Sequence, residues 1–168
     1  MKGLKVFTLL LCAAMLLLSC SKQDKEEDSE QEVTASLVIE ALEEKLKKRS
    51  KEEYVRIDLL VPEEVEYFSP MKHLDPALMK EGYAIKGKQV TQSALIIIIE
   101  AVGFNEASQL EEGLDRVLSD QMGTWSDYIP SEYDYVKNNM IEREGNFIAY
   151  ITSRHVDMLK EDFEKTVK

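Results

Sequence analysis

The chain has 168 residues and carries 32 Asp and Glu against 21 Lys and Arg, for a formal net charge of −11. This length suits a single domain with a core of its own. The acidic balance argues against nucleic acid as a partner, because phosphate backbones are bound by an excess of Lys and Arg. Both cysteines, Cys12 and Cys20, lie in the first twenty residues, so we expect a folded domain without a disulfide or a thiol nucleophile.

The N-terminal segment has the layout of a secretory signal. Two lysines precede an apolar run at residues 6–18, which is shorter than the roughly 18 residues or more of a membrane-spanning helix. The run ends in Leu17-Leu18-Ser19-Cys20. This ending resembles a bacterial lipobox, in which a diacylglyceryl group is attached to the cysteine thiol and the chain is cleaved before it. An ordinary signal peptide and a single transmembrane anchor are the alternatives.

This interpretation divides the chain into a lipoprotein signal peptide at 1–19, a lipidated Cys20 with a tether to residue 32, and one domain at 33–168. The tether sequence SKQDKEEDSEQE has no large apolar side chain, so it cannot offset the entropy lost on folding and is predicted to be flexible. The predicted location is the extracytoplasmic face of the cell membrane, where the lipid on Cys20 supplies the membrane contact.

The first half of the domain is predicted to hold a helix, a strand and an irregular segment. Thr34 or Ser36 can cap a helix that runs to about Ser50, because apolar residues recur on one stripe. Alternation at residues 54–61 predicts a strand. Three prolines then mark an irregular stretch, in which Asp75-Pro76 is expected to open a short helix that Gly82 ends.

The second half is predicted to alternate strands and helices. The sequence ALIIIIEA at residues 94–101 favours a central strand, since β-branched side chains lose rotamer freedom in a helix. Asn105 is expected to cap a helix to about Met122. A hairpin at residues 140–152 around Gly145-Asn146 and a helix at residues 155–167 follow. The β-α-β-β-α order after residue 90 predicts an α+β fold, with a small antiparallel or mixed sheet packed against helices and preceded by an N-terminal helix.

The sequence contains no recognisable catalytic or phosphate-binding motif. His73 and His155 are far from any His or Cys in sequence, which favours structural roles over a transition-metal site. Glu142 and Glu144 share one strand face; they are predicted to be the solvent side of the hairpin, with a hard-cation site or an acid/base pair as the alternative. We therefore predict no catalytic residue, no metal and no cofactor.

The aromatic group around Pro130 is the best candidate for a ligand surface. It comprises Trp125, Tyr128, Tyr133 and Tyr135, in a segment predicted to be irregular. Such rings can form a platform for a sugar or a peptide, since Tyr and Trp combine an apolar body with a polar group. They can equally close the end of the core. We take Trp125 and Tyr128 as the candidate ligand contacts.

Several short sequences in the domain resemble a family of bacterial lipoproteins, the domain-of-unknown-function family DUF4358. They are Leu74-Asp75, Tyr83-Ala84-Ile85, the strand at 94–101, Gln121, Trp125-x-x-Tyr128-x-Pro130, Tyr133, Val136-Lys137-Asn138, Gly145-Asn146-Phe147 and Ser153. The chain departs from the usual family pattern at Ala84 and at Gly103-Phe104-Asn105. The resemblance covers about residues 68–163, and it implies a lipoprotein and a fold without implying an activity.

The sequence thus predicts a membrane-anchored extracytoplasmic lipoprotein that serves as a non-catalytic binding or accessory module of the cell envelope. Its partner would be an envelope protein, a peptide or a glycan. The alternative is a carboxylate-dependent envelope hydrolase, because glycosidases need only two acidic side chains.

Overall fold

The structure is a computed structural model that describes residues 32–168. The predicted signal peptide, Cys20 and all but the last residue of the predicted tether lie outside the described residues. The helices are α1 (Ala35–Arg49), α2 (Pro62–Val65), α3 (Phe104–Tyr128), α4 (Pro130–Lys137) and α5 (Val156–Val167), with 3₁₀ turns at Ser69–His73 and Pro76–Leu78. The strands are β1 (Tyr54–Asp58), β2 (Met79–Gly87), β3 (Leu95–Ala101), β4 (Met140–Glu144) and β5 (Phe147–Thr152).

The five strands form one antiparallel sheet in the order β1-β2-β3-β5-β4. Helices cover both faces, which confirms the predicted α+β class with an N-terminal helix before the sheet. Strand β3 lies at the centre between β2 and β5, and all seven of its residues are buried. The isoleucine run therefore forms the central strand that its composition predicted.

Successive isoleucines of β3 serve two separate cores, because side chains alternate across a strand. Ile97 and Ile99 pack on the face covered by α3, with Leu110 and Leu114 of that helix. Ile96 and Ile98 pack on the opposite face, with side chains of α1 and α5 that include Phe163. The sheet is thus sandwiched between two helical layers.

Local signals at the ends of the elements also match the prediction. Thr34 caps α1, where its hydroxyl accepts a hydrogen bond from the backbone N–H of Leu37 at 3.3 Å. The β4–β5 hairpin turns at Gly145, whose φ of 61° lies in the left-handed region that glycine adopts without strain. The predicted strand at residues 54–61 is present but ends at Asp58.

The prediction for the segment after Asp75 is wrong. Asp75 does cap a turn, accepting from the N–H of Ala77 at 2.9 Å, but that turn is only the 3₁₀ helix Pro76–Leu78. Strand β2 starts at Met79, and Gly82 lies inside it. A Cβ at Gly82 would stand 3.0 Å from the sulfur of Met79 and 3.2 Å from Leu59 Cδ1. A Cβ would therefore have to displace Met79 and Leu59 by a few tenths of an ångström, and Gly82 continues the strand instead of ending a helix.

The predicted bounds of α3 are also wrong. The helix starts at Phe104, before the expected cap Asn105, and continues past Met122 to Tyr128. Trp125 accounts for the extension, because its side chain is buried and its indole N–H donates to Gln121 Oε1 one turn earlier, at 2.8 Å. Pro130 then begins α4 at a position where its missing N–H costs nothing. The segment around Pro130 is therefore helical and not irregular.

Two glycines of α3 should respond in opposite directions to alanine. A Cβ at Gly113 would lie 2.5 Å from the carbonyl oxygen of His73, a backbone atom, so Gly113→Ala should lower the free energy of unfolding by about 1–3 kcal/mol. A Cβ at Gly123 would have no neighbour within 4 Å, so Gly123→Ala should raise the free energy of unfolding by about 0.5–1 kcal/mol, because alanine favours the helix more than glycine does. Urea unfolding of both variants is the measurement. Shifts of the same sign would contradict the close packing of α3 on the Ser69–His73 turn.

Candidate functional site

A groove of about 210 Å³ opens at the end of the sheet where β2 leads into β3. Three segments that are distant in sequence line it: residues 67–70, which lead into the first 3₁₀ helix, the β2–β3 connection with the adjoining strand ends, and the C-terminal part of α3. The lining residues are Tyr67, Phe68, Ser69, Pro70, Lys86, Gly87, Lys88, Gln89, Val90, Gln92, Ser93, Ala94, Leu95, Gln121 and Trp125. We call this feature the β2–β3 groove.

The first wall of the groove carries an exposed ring on an anchored backbone. Phe68 and Pro70 are buried, and Phe68 belongs to the core beneath α3. Tyr67 precedes them and is 86 % exposed. Burial of its neighbour therefore fixes the backbone that presents Tyr67, while the ring itself stays open to solvent.

The second wall is the β2–β3 connection, which has its own hydrogen bonds. The N–H of Gly87 donates to the carbonyl of Ala94 at 3.0 Å, and the N–H of Gln89 donates to Gln92 Oε1 at 3.1 Å. A Cβ at Gly87 would lie 2.5 Å from Gln92 Cβ, so only glycine lets the Gln92 side chain fold back over the strand end. These contacts give the connection a defined shape.

A buried carboxylate holds the far end of this connection. Glu132, in the first turn of α4, accepts hydrogen bonds from the N–H of Ser93 at 2.8 Å, the hydroxyl of Ser93 at 2.9 Å and Arg154 Nη2 at 2.9 Å. Arg154 also pairs with Glu52 at 3.2 Å and stacks over Tyr135. Burial alone raises the pKa of the Glu132 carboxyl, but the bonds from Ser93 and Arg154 outweigh it and leave that pKa below its ordinary value.

No sequence pattern indicates a role for this carboxylate. Glu132 lies in a stretch that was expected to be irregular, and Ser93 is 39 positions away from it. Only the return of α4 to the end of the sheet brings the two together. Tyr67 and Lys86 were missed for the same reason, because they reach the groove from separate segments.

The two candidate ligand contacts have different positions. Trp125 is only 7 % exposed but lines the groove, whereas Tyr128 is 56 % exposed and lies outside the lining. Their ring centroids are 5.8 Å apart, with the planes tilted by 50°. Tyr133 and Tyr135 lie on α4, next to Lys137 and Arg154 respectively. The structure thus brings Trp125 together with Tyr67 in one groove and does not gather the four predicted rings into one platform.

The charge of the groove is opposite to that of the chain. Its lining holds Lys86 and Lys88 and, among the residues the structure describes, no Asp or Glu. Lys88 Nζ pairs with Glu53 at 2.7 Å on the surface. Lys86 is half-buried and has no ion pair within residues 32–168. The groove therefore offers one cation without a counter-ion in the described domain.

Two of the other acidic and imidazole groups singled out from the sequence, His73 and Glu142, are engaged in ion pairs. His73 Nε2 and Lys72 Nζ each lie 2.7 Å from Asp120 Oδ2, and the pKa of Asp120 is lowered, first by the bond to Lys72 and then by that to His73. Glu142 pairs with Lys160 at 2.9 Å, and Glu144 is exposed. Within the described residues, no group of three or more His, Cys, Asp or Glu is arranged to hold a metal.

Residues 62–153 match the family model described as Domain of unknown function (DUF4358). This match spans more than half of the chain. The chain belongs to the DUF4358 family. The DUF4358 region begins earlier than the resemblance predicted and stops before α5; it contains the whole lining of the groove as well as Glu132. Comparison with curated proteins and with solved structures finds no match. No helix within residues 32–168 is both long and apolar enough to cross a membrane.

Proposed function

We propose that this protein is a lipid-anchored, extracytoplasmic lipoprotein whose domain binds an envelope component in the β2–β3 groove without transforming it. The observation that carries the proposal is the lining of that groove, which combines Trp125 and Tyr67 with amide and lysine side chains. Aromatic faces and hydrogen-bond donors can bind a ligand. Covalent catalysis would in addition need a nucleophile next to a base, and the lining residues do not include such a pair. The hydroxyl of Ser93, a lining residue, donates to the carboxylate of Glu132 and has no imidazole partner among residues 32–168.

The first described residues lie at the end of the sheet opposite the groove. Glu32 Oε1 lies 3.4 Å from Lys80 Nζ, and the N–H of Ser36 donates to Glu81 at 3.1 Å. These contacts place the start of the domain at the Lys80 end of β2, while the groove lies at the Gly87 end. At about 3.3 Å per residue, the two ends are on the order of 20 Å apart.

The anchor is tested by Cys20→Ala in the full-length chain. Because Cys20 would supply the thiol that carries the lipid, the variant should move from the detergent phase to the aqueous phase, or remain as uncleaved precursor. The measurement is phase partitioning combined with the mass of the N-terminal peptide. A lipid-free N-terminus in the wild-type protein would refute the lipobox interpretation.

The groove is tested by photo-crosslinking from single positions of the full-length protein in living cells. Val90 lies at the groove and is 84 % exposed; Phe104 is 70 % exposed and lies at the other end of the sheet, after Ala101. A benzophenone amino acid at position 90 should give adducts with envelope material, and the same group at position 104 should give few. Adding Tyr67→Ala should reduce the adducts from position 90, whereas Tyr128→Ala should not.

Two outcomes would refute this proposal. Equal adducts from positions 90 and 104 would mean that the groove has no special role. Release of soluble wall fragments by the purified protein, abolished when an acidic side chain is replaced, would instead establish the carboxylate-dependent hydrolase.

A further inference from the structure

We propose that the ligand of the β2–β3 groove is an anionic sugar unit of a cell-wall polymer, whose carboxylate or phosphate group pairs with Lys86 while its ring contacts Tyr67 and Trp125. The inference rests on the proposed function, since it names the ligand of the same groove.

The charge of the lining is the first argument. Asp and Glu make up 32 of the 168 residues, yet none of the 15 lining residues is acidic and two are lysines. In a chain of net charge −11, an anion meets less repulsion at a patch without acidic side chains than at the acidic parts of the surface. Charges elsewhere on the surface act weakly on a bound anion, because the screening length is about 8 Å at physiological ionic strength.

The position of Lys86 is the second argument. It lies on β2 between Val55 of β1 and Leu95 of β3, near the end of the strand. Leu95 belongs to the core on the α3 side of the sheet, and Lys86, its partner in the strand register, is half-buried and is one of the residues that line the groove. Lys86 has no ion-pair partner in residues 32–168, so its ammonium group can pair with a ligand without first breaking an internal ion pair.

The remaining side chains suit a sugar. Gln121 and Gln92 each use the amide oxygen within the protein, accepting from Trp125 Nε1 and from the N–H of Gln89. Each amide NH₂ is then available to donate to a hydroxyl group. The apolar face of a sugar ring can lie against Tyr67 and Trp125. A volume of about 210 Å³ is below the roughly 300–1,000 Å³ of pockets for drug-sized ligands, so the groove fits one unit of a longer polymer.

The test is binding of the full-length protein, held in detergent micelles, to bacterial cell wall stripped of protein by trypsin. Lys86→Gln should weaken binding about tenfold, as expected for the loss of one charge-assisted hydrogen bond at a partly exposed site, and Lys86→Arg should retain most of it. Lys48→Gln, on α1 and paired only with Glu44 within its helix, is the matched control and should bind like the wild type. Binding should also weaken as the salt concentration rises.

Chemical treatment of the wall identifies the anion. Amidation with carbodiimide and ethanolamine neutralises the carboxylate groups of the wall. Hydrofluoric acid removes its phosphodiester-linked polymers and therefore its phosphate groups. Loss of binding after one treatment assigns the source. Unchanged binding after both treatments, or with Lys86→Gln, would overturn the anionic ligand and leave the proposed function standing. Groove-dependent crosslinking in cells without binding to stripped wall would point to a protein or peptide partner and would also overturn this inference.

Discussion

Replacing Ile98 or Ile97 with alanine is expected to lower the free energy of unfolding by about 2–5 kcal/mol in each case. Both side chains are fully buried, but they face different helical layers. Ile97 contacts the core beneath α3, and Ile98 contacts the core formed with α1 and α5. Each truncation leaves a cavity that a central strand, paired on both edges, cannot close by moving.

The control for these variants is Val55→Ala. Val55 lies on the edge strand β1 and is 38 % exposed, so its truncation should cost less than about 1 kcal/mol. Urea unfolding followed by circular dichroism is the measurement. If either isoleucine variant unfolds at the same denaturant concentration as the wild type, one helical layer does not pack on the sheet as described.

The elements that sequence predicts correctly are those whose signal is local. The isoleucine run specifies a doubly covered strand by composition alone, and Thr34 and Gly145 specify a cap and a turn through their own backbone and side chain. The final helix also follows from its periodicity. None of these depends on a distant contact.

Strand β2 was missed because its stability comes from its neighbours. It contains Gly82 and three charged residues, Lys80, Glu81 and Lys86, which weaken a strand pattern. Pairing with β1 and β3 on its two edges supplies the stabilisation, and close packing against Leu59 explains the glycine. A single-sequence pattern carries no information on either contact.

The candidate site was predicted only in part for a related reason. Trp125 was singled out and does line the groove, but its partner Tyr67 lies 58 positions earlier in the chain. The expectation of an irregular aromatic loop failed because burial of Trp125 extends α3 and Pro130 starts a new helix immediately. A groove lined by three separate segments cannot be predicted from one sequence, because the sequence does not show which segments the folded sheet brings together.

Loss of the Glu132 carboxylate should disturb both the stability of the domain and the shape of the groove. In Glu132→Ala the N–H of Ser93 loses its acceptor in a buried setting, and the hydroxyl of Ser93 keeps only the backbone carbonyl of residue 132, at 3.2 Å. Arg154 keeps its ion pair with Glu52 and its stacking over Tyr135. We expect a loss of about 2–4 kcal/mol, less than for a fully buried pair because Arg154 is partly exposed. Glu161→Ala, which removes an exposed pair with Lys165 on α5, should cost less than about 0.5 kcal/mol.

The same carboxylate predicts a pH dependence with a definite sign. Because the pKa of Glu132 is lower in the folded protein than the value of about 4.3 expected in the unfolded chain, the folded state holds this proton less tightly. Its stabilisation is present in full above the unfolded pKa and is lost as the pH falls through the folded pKa. Unfolding measured from pH 7 to pH 3 should therefore show a smaller loss of stability with acid in Glu132→Gln than in the wild type. Parallel curves would mean that Glu132 is not bonded as an ionised group. Unchanged wall binding by a folded Glu132→Ala variant, which has no acceptor for Ser93, would mean that the Ser93 contact does not shape the groove.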